Sequence, residues 1–137
     1  MDKRGRAAFA ATIIGTACWL PSSAEAEWFR VSTSNQGSVY SIDPDRLKTV
    51  GGRRQVWMKG DHARNRGERA RSSMTLLSYD CSAATVKALA ESSYDSFGKT
   101  ITSRSFPDYG VGYQPIVPET VAETISKIVC RTNGEGE

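Results

Sequence analysis

The chain of 137 residues carries 18 Lys+Arg against 15 Asp+Glu, 39% hydrophobic residues and a single histidine, the make-up of one modest domain. No run reaches the roughly eighteen apolar residues that a helical membrane span needs, and the apolar content is too high for a wholly disordered chain. Both of those classes are excluded.

The first 26 residues read as an export leader. Lys3, Arg4 and Arg6 form a basic start, Ala7 to Leu20 an apolar core of about fourteen residues, and Pro21-Ser22-Ser23 a break before Ala24-Glu25-Ala26. The small side chains at Ala24 and Ala26 fit a signal peptidase, so cleavage is expected after Ala26. Lipidation of Cys18 is the weaker reading, because Gly15 stands where a lipoprotein signal places a branched aliphatic residue. Residues 27–137 then form a single domain with 15 Lys+Arg, 13 Asp+Glu and two cysteines, Cys81 and Cys130. An even pair in an exported chain predicts one disulfide, with two free thiols as the alternative.

The domain reads mainly as strands. Trp28 to Ser34 and Gly37 to Ile42 alternate around Phe29, Val31 and Val39, with Asn35-Gln36-Gly37 as the turn of an opening hairpin. Asp43-Pro44-Asp45 punctuates the chain, and Leu47 to Val50 forms a short turn or edge piece before Gly51-Gly52. Arg53 to Lys59 alternates as a third strand. Gly60 to Arg71 is charged and nearly devoid of apolar residues, which predicts a mobile loop with no core. Ser72 to Asp80 is a fourth strand ending at Cys81. Ala83 to Glu91 fits both helix by propensity and strand by a period of two, and the Asp95 to Lys99 turn into Thr100 to Ser103 favours strand.

Thr120 with Glu123 three residues on is a capping-box pattern, and Val121, Ile125, Ile128 and Val129 make one apolar stripe. A helix is expected to start there and pack on the sheet, tied to it through Cys130. The expected fold is therefore α+β: a small antiparallel sheet of about five or six strands with a C-terminal helix and one disulfide. The tail from Thr132 to Glu137 should fray.

Catalytic patterns are weak. His62 is the only histidine and falls in the loop with no predicted rigid support, so a nucleophile-base dyad lacks a fixed base. Asp61 and His62 supply two metal ligands where a zinc site needs three or four. Asp43 and Asp45 flank a proline and read as turn caps rather than an acid-base pair. Gly110-Val111-Gly112 has neither the lysine nor the helix of a phosphate loop. No enzyme activity, cofactor or metal is expected.

The one charge anomaly is Arg53 to Arg71, where Arg53, Arg54, Lys59, Arg64, Arg66, Arg69 and Arg71 face only Asp61 and Glu68, a local net of +5. Clustered arginines bind sulfate, phosphate or carboxylate through paired N–H donors. For an exported chain the candidate partners are lipopolysaccharide phosphates, sulfated glycans or an acidic protein face, not nucleic acid. A solvated loop is the plain alternative.

Trp28, Val39-Tyr40-Ser41-Ile42-Asp43, Val56-Trp57-Met58-Lys59, Tyr79-Asp80-Cys81, Tyr94 with Gly98, Tyr113-Gln114-Pro115-Ile116-Val117-Pro118 and a helix ending at Cys130 occur in an order that resembles the surface-adhesin protein E family of exported bacterial domains. Two departures are Tyr113, where a tryptophan is expected, and a longer, more basic Arg-rich loop. The resemblance implies a small antiparallel sheet with a tied C-terminal helix. It also implies a non-enzymatic binding domain, adhesive toward matrix or plasma proteins in its best-known members and able to self-associate. An exported interaction module in the periplasm or at the outer surface is thus expected, with an edge strand available for a homodimer or for partner-strand addition. The alternative is a periplasmic accessory or inhibitor protein acting on an envelope enzyme.

Overall fold

The computed structural model describes residues 27–108 and 112–131. The expected leader with its cleavage after Ala26, Gly110 and Val111, and the tail from Thr132 to Glu137 lie outside the described residues. In chain order the elements are β1 (Phe29–Thr33), β2 (Val39–Ile42), a 3-10 turn (Pro44–Arg46), β3 (Lys48–Val50), β4 (Arg53–Asp61), β5 (Ser72–Asp80), β6 (Thr85–Tyr94), β7 (Thr100–Ser105), β8 (Gln114–Pro115) and α1 (Val121–Val129). The fold is α+β, as the sequence predicts. A continuous antiparallel path runs β1-β2-β4-β5-β6-β7, while the short β3 and β8 pair with the first residues of β4 and β6.

The alternation of β4 becomes two distinct sheet faces. Val56 lies opposite Leu77 and Arg54 opposite Tyr79 on the side that α1 covers, whereas Gln55 with Ser78 and Trp57 with Leu76 point the other way. A slip of one residue would exchange these sets, so the apolar side chains under the helix fix the register. The fully buried core is small: Ile42, Val56, Tyr79, Ile125 and Val129, with Val31, Leu77, Val86 and Ile128 among the half-buried residues around it.

The ambiguous segment after Cys81 is strand, and a bulge explains its mixed pattern. Leu76 pairs with Ala90 but Leu77 pairs with Ala88, leaving Leu89 as the extra residue. Val86 and Ala88 therefore lie on the helix side, while Ala90 and Ser92 lie on the opposite face. Beyond the bulge, the helix side of β6 carries Glu91 and Ser93, which bond Arg104 and Thr102 of β7. The sheet is thus apolar where α1 lies on it and polar farther along the same side.

The Asp43-Pro44-Asp45 punctuation forms the 3-10 turn, with buried Asp43 accepting from the Asp45 N–H at 3.2 Å and facing Arg46 Nε at 3.1 Å. At the helix, Thr120 Oγ1 accepts from the Glu123 N–H at 3.3 Å. The reciprocal bond reaches one residue farther out, from the Glu119 N–H to Glu123 Oε2 at 2.9 Å. This N–H, followed by the Lys127 ammonium, holds the Glu123 carboxyl below its usual range.

Two bonds join α1 to the sheet end. Cys81 and Cys130 form the expected disulfide, with Cα atoms 5.7 Å apart, and the Tyr79 hydroxyl donates to the Ala122 carbonyl at 3.0 Å. Closing a loop with a sequence separation of 49 stabilises the fold by roughly 4 kcal/mol in the chain-entropy account. The Cys81→Ala/Cys130→Ala variant should therefore lose about 2–4 kcal/mol, read as a lower denaturant midpoint with a steeper slope, because the unbridged chain exposes more surface on unfolding.

Burial pushes the Tyr79 phenol well above the ordinary value of 10.0. Its contribution is present in full below that pH and declines above it, because the unfolded chain releases the proton first. In an alkaline titration, the Tyr79 share of phenolate absorbance should appear together with loss of sheet circular dichroism. Tyr79→Phe should reduce the alkaline fall in stability.

Candidate functional site

The seven basic residues do not form one patch. Arg53 lies 4.4 Å above the Tyr113 ring and 3.5 Å from Asp108, whose carboxylate also accepts from the Tyr113 hydroxyl at 2.6 Å. The same hydroxyl meets the buried Ser78 at 2.8 Å, and Gln55 reaches Asp108 at 3.4 Å. Burial, reinforced by the Asp108 carboxylate, raises the Tyr113 phenol above its ordinary value. Arg53 thus helps bind the segment around residues 108 and 113 to the face opposite α1. Arg54 lies on the helix side and donates to Thr49 Oγ1 at 2.9 Å. Lys59 points to the opposite face, 5.9 Å from the Trp28 ring.

Arg64, Arg66, Arg69 and Arg71 remain together on the loop between β4 and β5. The structure corrects the expectation that this loop has no core. β4 continues to Asp61, and both His62 and Ala70 are buried, at 7% and 6% exposure. His62 Nδ1 lies 2.8 Å from Ser38 Oγ and its Nε2 lies 2.9 Å from Ser73 Oγ. Asn65 Nδ2 donates to the same Ser38 Oγ at 2.9 Å. Backbone bonds from the His62 N–H to the Arg71 carbonyl and from the Asn65 N–H to the His62 carbonyl, each 2.9 Å, complete the base of the loop.

Gly60 makes room for this clamp. A Cβ there would come within 2.5 Å of Ser73 Oγ and 2.7 Å of His62 Nε2. The glycine in a charged stretch reads as loop chemistry by sequence, yet its role is to let an imidazole lie against the strand. Among the described residues Arg64, Arg66 and Arg69 take part in no ion pair, while Arg71 Nη1 donates to the Ala63 carbonyl at 3.4 Å.

His62 therefore has a rigid support that the sequence reading did not foresee. Its hydrogen bonds go to two serines, and no described carboxylate bonds to its ring, so the arrangement differs from a base oriented by an acid. Glu68 and Glu91 line the same shallow cleft as His62 and Ser73. No group of three or more His, Cys, Asp or Glu able to hold a metal occurs among the described residues. No described helix is long and apolar enough to cross a membrane.

The register also brings up one cation that the charge count passed over. Arg30 of β1, Ser41 of β2 and Lys59 of β4 stand in one cross-strand row opposite α1, with Trp28 beside Lys59. Arg30 lies 23 residues before the start of the basic segment. Only strand pairing makes it a neighbour, and the hairpin alternation already legible in the sequence carries that signal.

The model of the surface-adhesin protein E family matches residues 28–131. The chain belongs to this family. The fold is also similar to a structure of Haemophilus influenzae protein E, at 15% identity over 85% of this chain and 93% of that one, with a TM-score of 0.54. A second crystal form of that protein is 14% identical over 84% and 95% of the respective chains, with a TM-score of 0.55. Protein E from non-typeable Haemophilus influenzae is 16% identical over 85% and 83%, with a TM-score of 0.52. At these identities the likeness is one of fold. No curated protein matches the chain.

Replacing His62 by Ala removes the ring bonds to Ser38 and Ser73 and leaves a space in the loop base. The variant should lose about 2 kcal/mol of stability. Trypsin should cut it after Arg64, Arg66 or Arg69 under conditions in which the parent protein is left whole, a difference read by mass spectrometry.

Proposed function

We propose that the protein is an exported, non-enzymatic binding module of the bacterial cell envelope whose Arg-rich loop engages an acidic or polyanionic partner. The observation that carries the proposal is a set of guanidinium groups without ion pairs among the described residues, Arg64, Arg66 and Arg69, on a loop anchored by buried His62. Anchoring lowers the conformational entropy lost on binding, and unpaired arginines offer their donors without first breaking an internal bond. Family membership and the Cys81–Cys130 disulfide support a binding role outside the cytosol.

A free edge supports contact with a further strand. β7 is exposed along its whole length, and Phe97 at the adjoining turn and Ile101 are 94% and 47% exposed. Such an edge presents backbone donors and acceptors for a second copy or a partner strand.

Heparin chromatography tests the loop. Retention of the oxidised protein should fall with rising salt, and Arg64→Ala/Arg66→Ala/Arg69→Ala/Arg71→Ala should elute at clearly lower salt than the parent. Equal elution of the two would remove the loop from the binding function.

A further inference from the structure

We propose that the sheet face opposite α1 carries a second, more selective site across β1, β2 and β4, built to take a short acidic oligosaccharide. It rests on the binding-module reading but lies largely outside the loop that reading uses. Two adjoining depressions of about 240 and 230 Å³ share Arg30, Val39 and Asp61. Arg64 lines the first, and Trp28, Ser41 and Lys59 line the second.

Register sets the spacing of the charges. Arg30 pairs with Ser41, and Ser41 with Lys59, so the two cations flank a hydroxyl two strand positions apart, roughly 10 Å at the usual strand spacing. The next row is Thr33, Val39 and Asp61. Arg64 reaches this row because its backbone crosses close to Gly37. A Cβ on Gly37 would meet the Arg64 carbonyl at 3.2 Å, and Gly37 itself has a φ of +95°. Neither Arg30 nor Arg64 forms an ion pair or side-chain hydrogen bond among the described residues.

The chemistry selects among anions. Cations this far apart suit a chain bearing charges at intervals better than one small oxyanion. Trp28 adds an aromatic surface and Ser41 and Thr33 add hydroxyls, which suit a sugar ring that presents C–H and O–H groups between its charges. Asp61 stands among Arg30, Lys59 and Arg64 and accepts from the Ala63 N–H at 3.0 Å. A carboxylate there accepts from sugar hydroxyls, donors that the side chains of an acidic peptide lack. Sulfated or uronate-bearing oligosaccharide is therefore the matching class.

The test is calorimetric titration of the oxidised protein, produced from the full sequence, with a heparin-derived tetrasaccharide. Trp28→Ala and Arg30→Ala should each weaken binding about tenfold. Arg66→Ala/Arg69→Ala/Arg71→Ala should shorten retention on long-chain heparin, and the roughly tenfold loss on Trp28→Ala or Arg30→Ala should persist in its background. Unchanged circular dichroism and the absence of free thiols establish that each variant is folded. In the parent, the backbone amide signals of Ser41 and Asp61 should shift on adding the tetrasaccharide. Affinity lost only in the loop variant would overturn the groove and leave the loop's role standing. No binding of the tetrasaccharide by the parent, or affinity insensitive to Trp28→Ala and Arg30→Ala, would overturn the groove, whereas unchanged retention of the loop variant on long-chain heparin would overturn the loop. Equal affinity for a poly-glutamate of the same charge would overturn the sugar and assign the groove to acidic peptides.

Discussion

The attachment of one short helix to one end of a long antiparallel sheet governs the rest of the molecule. Among the described residues five side chains make the fully buried core, and two of them, Ile125 and Val129, come from α1. A sheet this extended with so little apolar cover gains much of its definition from the points where the helix is tied. The Cys81–Cys130 bond fixes the helix C-terminus at the end of β5, and Tyr79 reaches the first turn through Ala122. These bonds act at opposite ends of α1, so the helix is held in position and direction. Without them the apolar stripe would have a sheet to cover but little to set its angle.

Because α1 covers only part of one face, the remaining sheet must be stable while wet. On the helix side beyond the bulge at Leu89, hydroxyl pairs such as Ser93 with Thr102 and the Glu91–Arg104 ion pair replace apolar contacts. His62 folds over the same side at Gly60 and ties the β4–β5 loop to Ser38 and Ser73. One buried imidazole thus gives a charged loop a fixed starting point. The loop's arginines stay in solvent, where their charge is least costly, while their placement is set by groups that are not in solvent.

Much of this fold was legible in the sequence, for identifiable reasons. Alternation over residues 53–59 and 72–80, the turn at Asp95 to Lys99, and the Thr120–Glu123 cap are local signals, and each corresponds to a local element. Cys81 and Cys130 were decisive, because an even pair in a domain read as exported has few other fates. Gly60 to Arg71 reads as coreless because composition measures average polarity, whereas the buried His62 and Ala70 are separated by charged residues. The partners of His62 lie 24 and 11 residues away, at Ser38 and Ser73, and no periodicity links them. For the same reason the charge count merged Arg53 and Arg54, which point to opposite faces of β4, with arginines that the fold keeps apart from both.

The division between fold and recognition follows from where each kind of residue sits. Ile42, Val56, Tyr79, Ile125 and Val129 are enclosed, so the packing constrains them strongly. Arg30 and Lys59 project from positions that strand pairing fixes, and Arg64 from the loop that His62 anchors; packing leaves all three exposed, so their chemistry can change without cost to the core. At about 15% identity to Haemophilus influenzae protein E over most of both chains, the frame is shared while most residues differ. A ligand therefore cannot be transferred from one member to another through the frame. In this chain the outward rows of β1, β2 and β4 place two cations on either side of a hydroxyl, with a tryptophan at one end and a carboxylate in the adjacent row. That pattern belongs to this sequence, and its particular mixture of charge, hydroxyl and aromatic surface distinguishes a shaped recognition site from a merely basic surface.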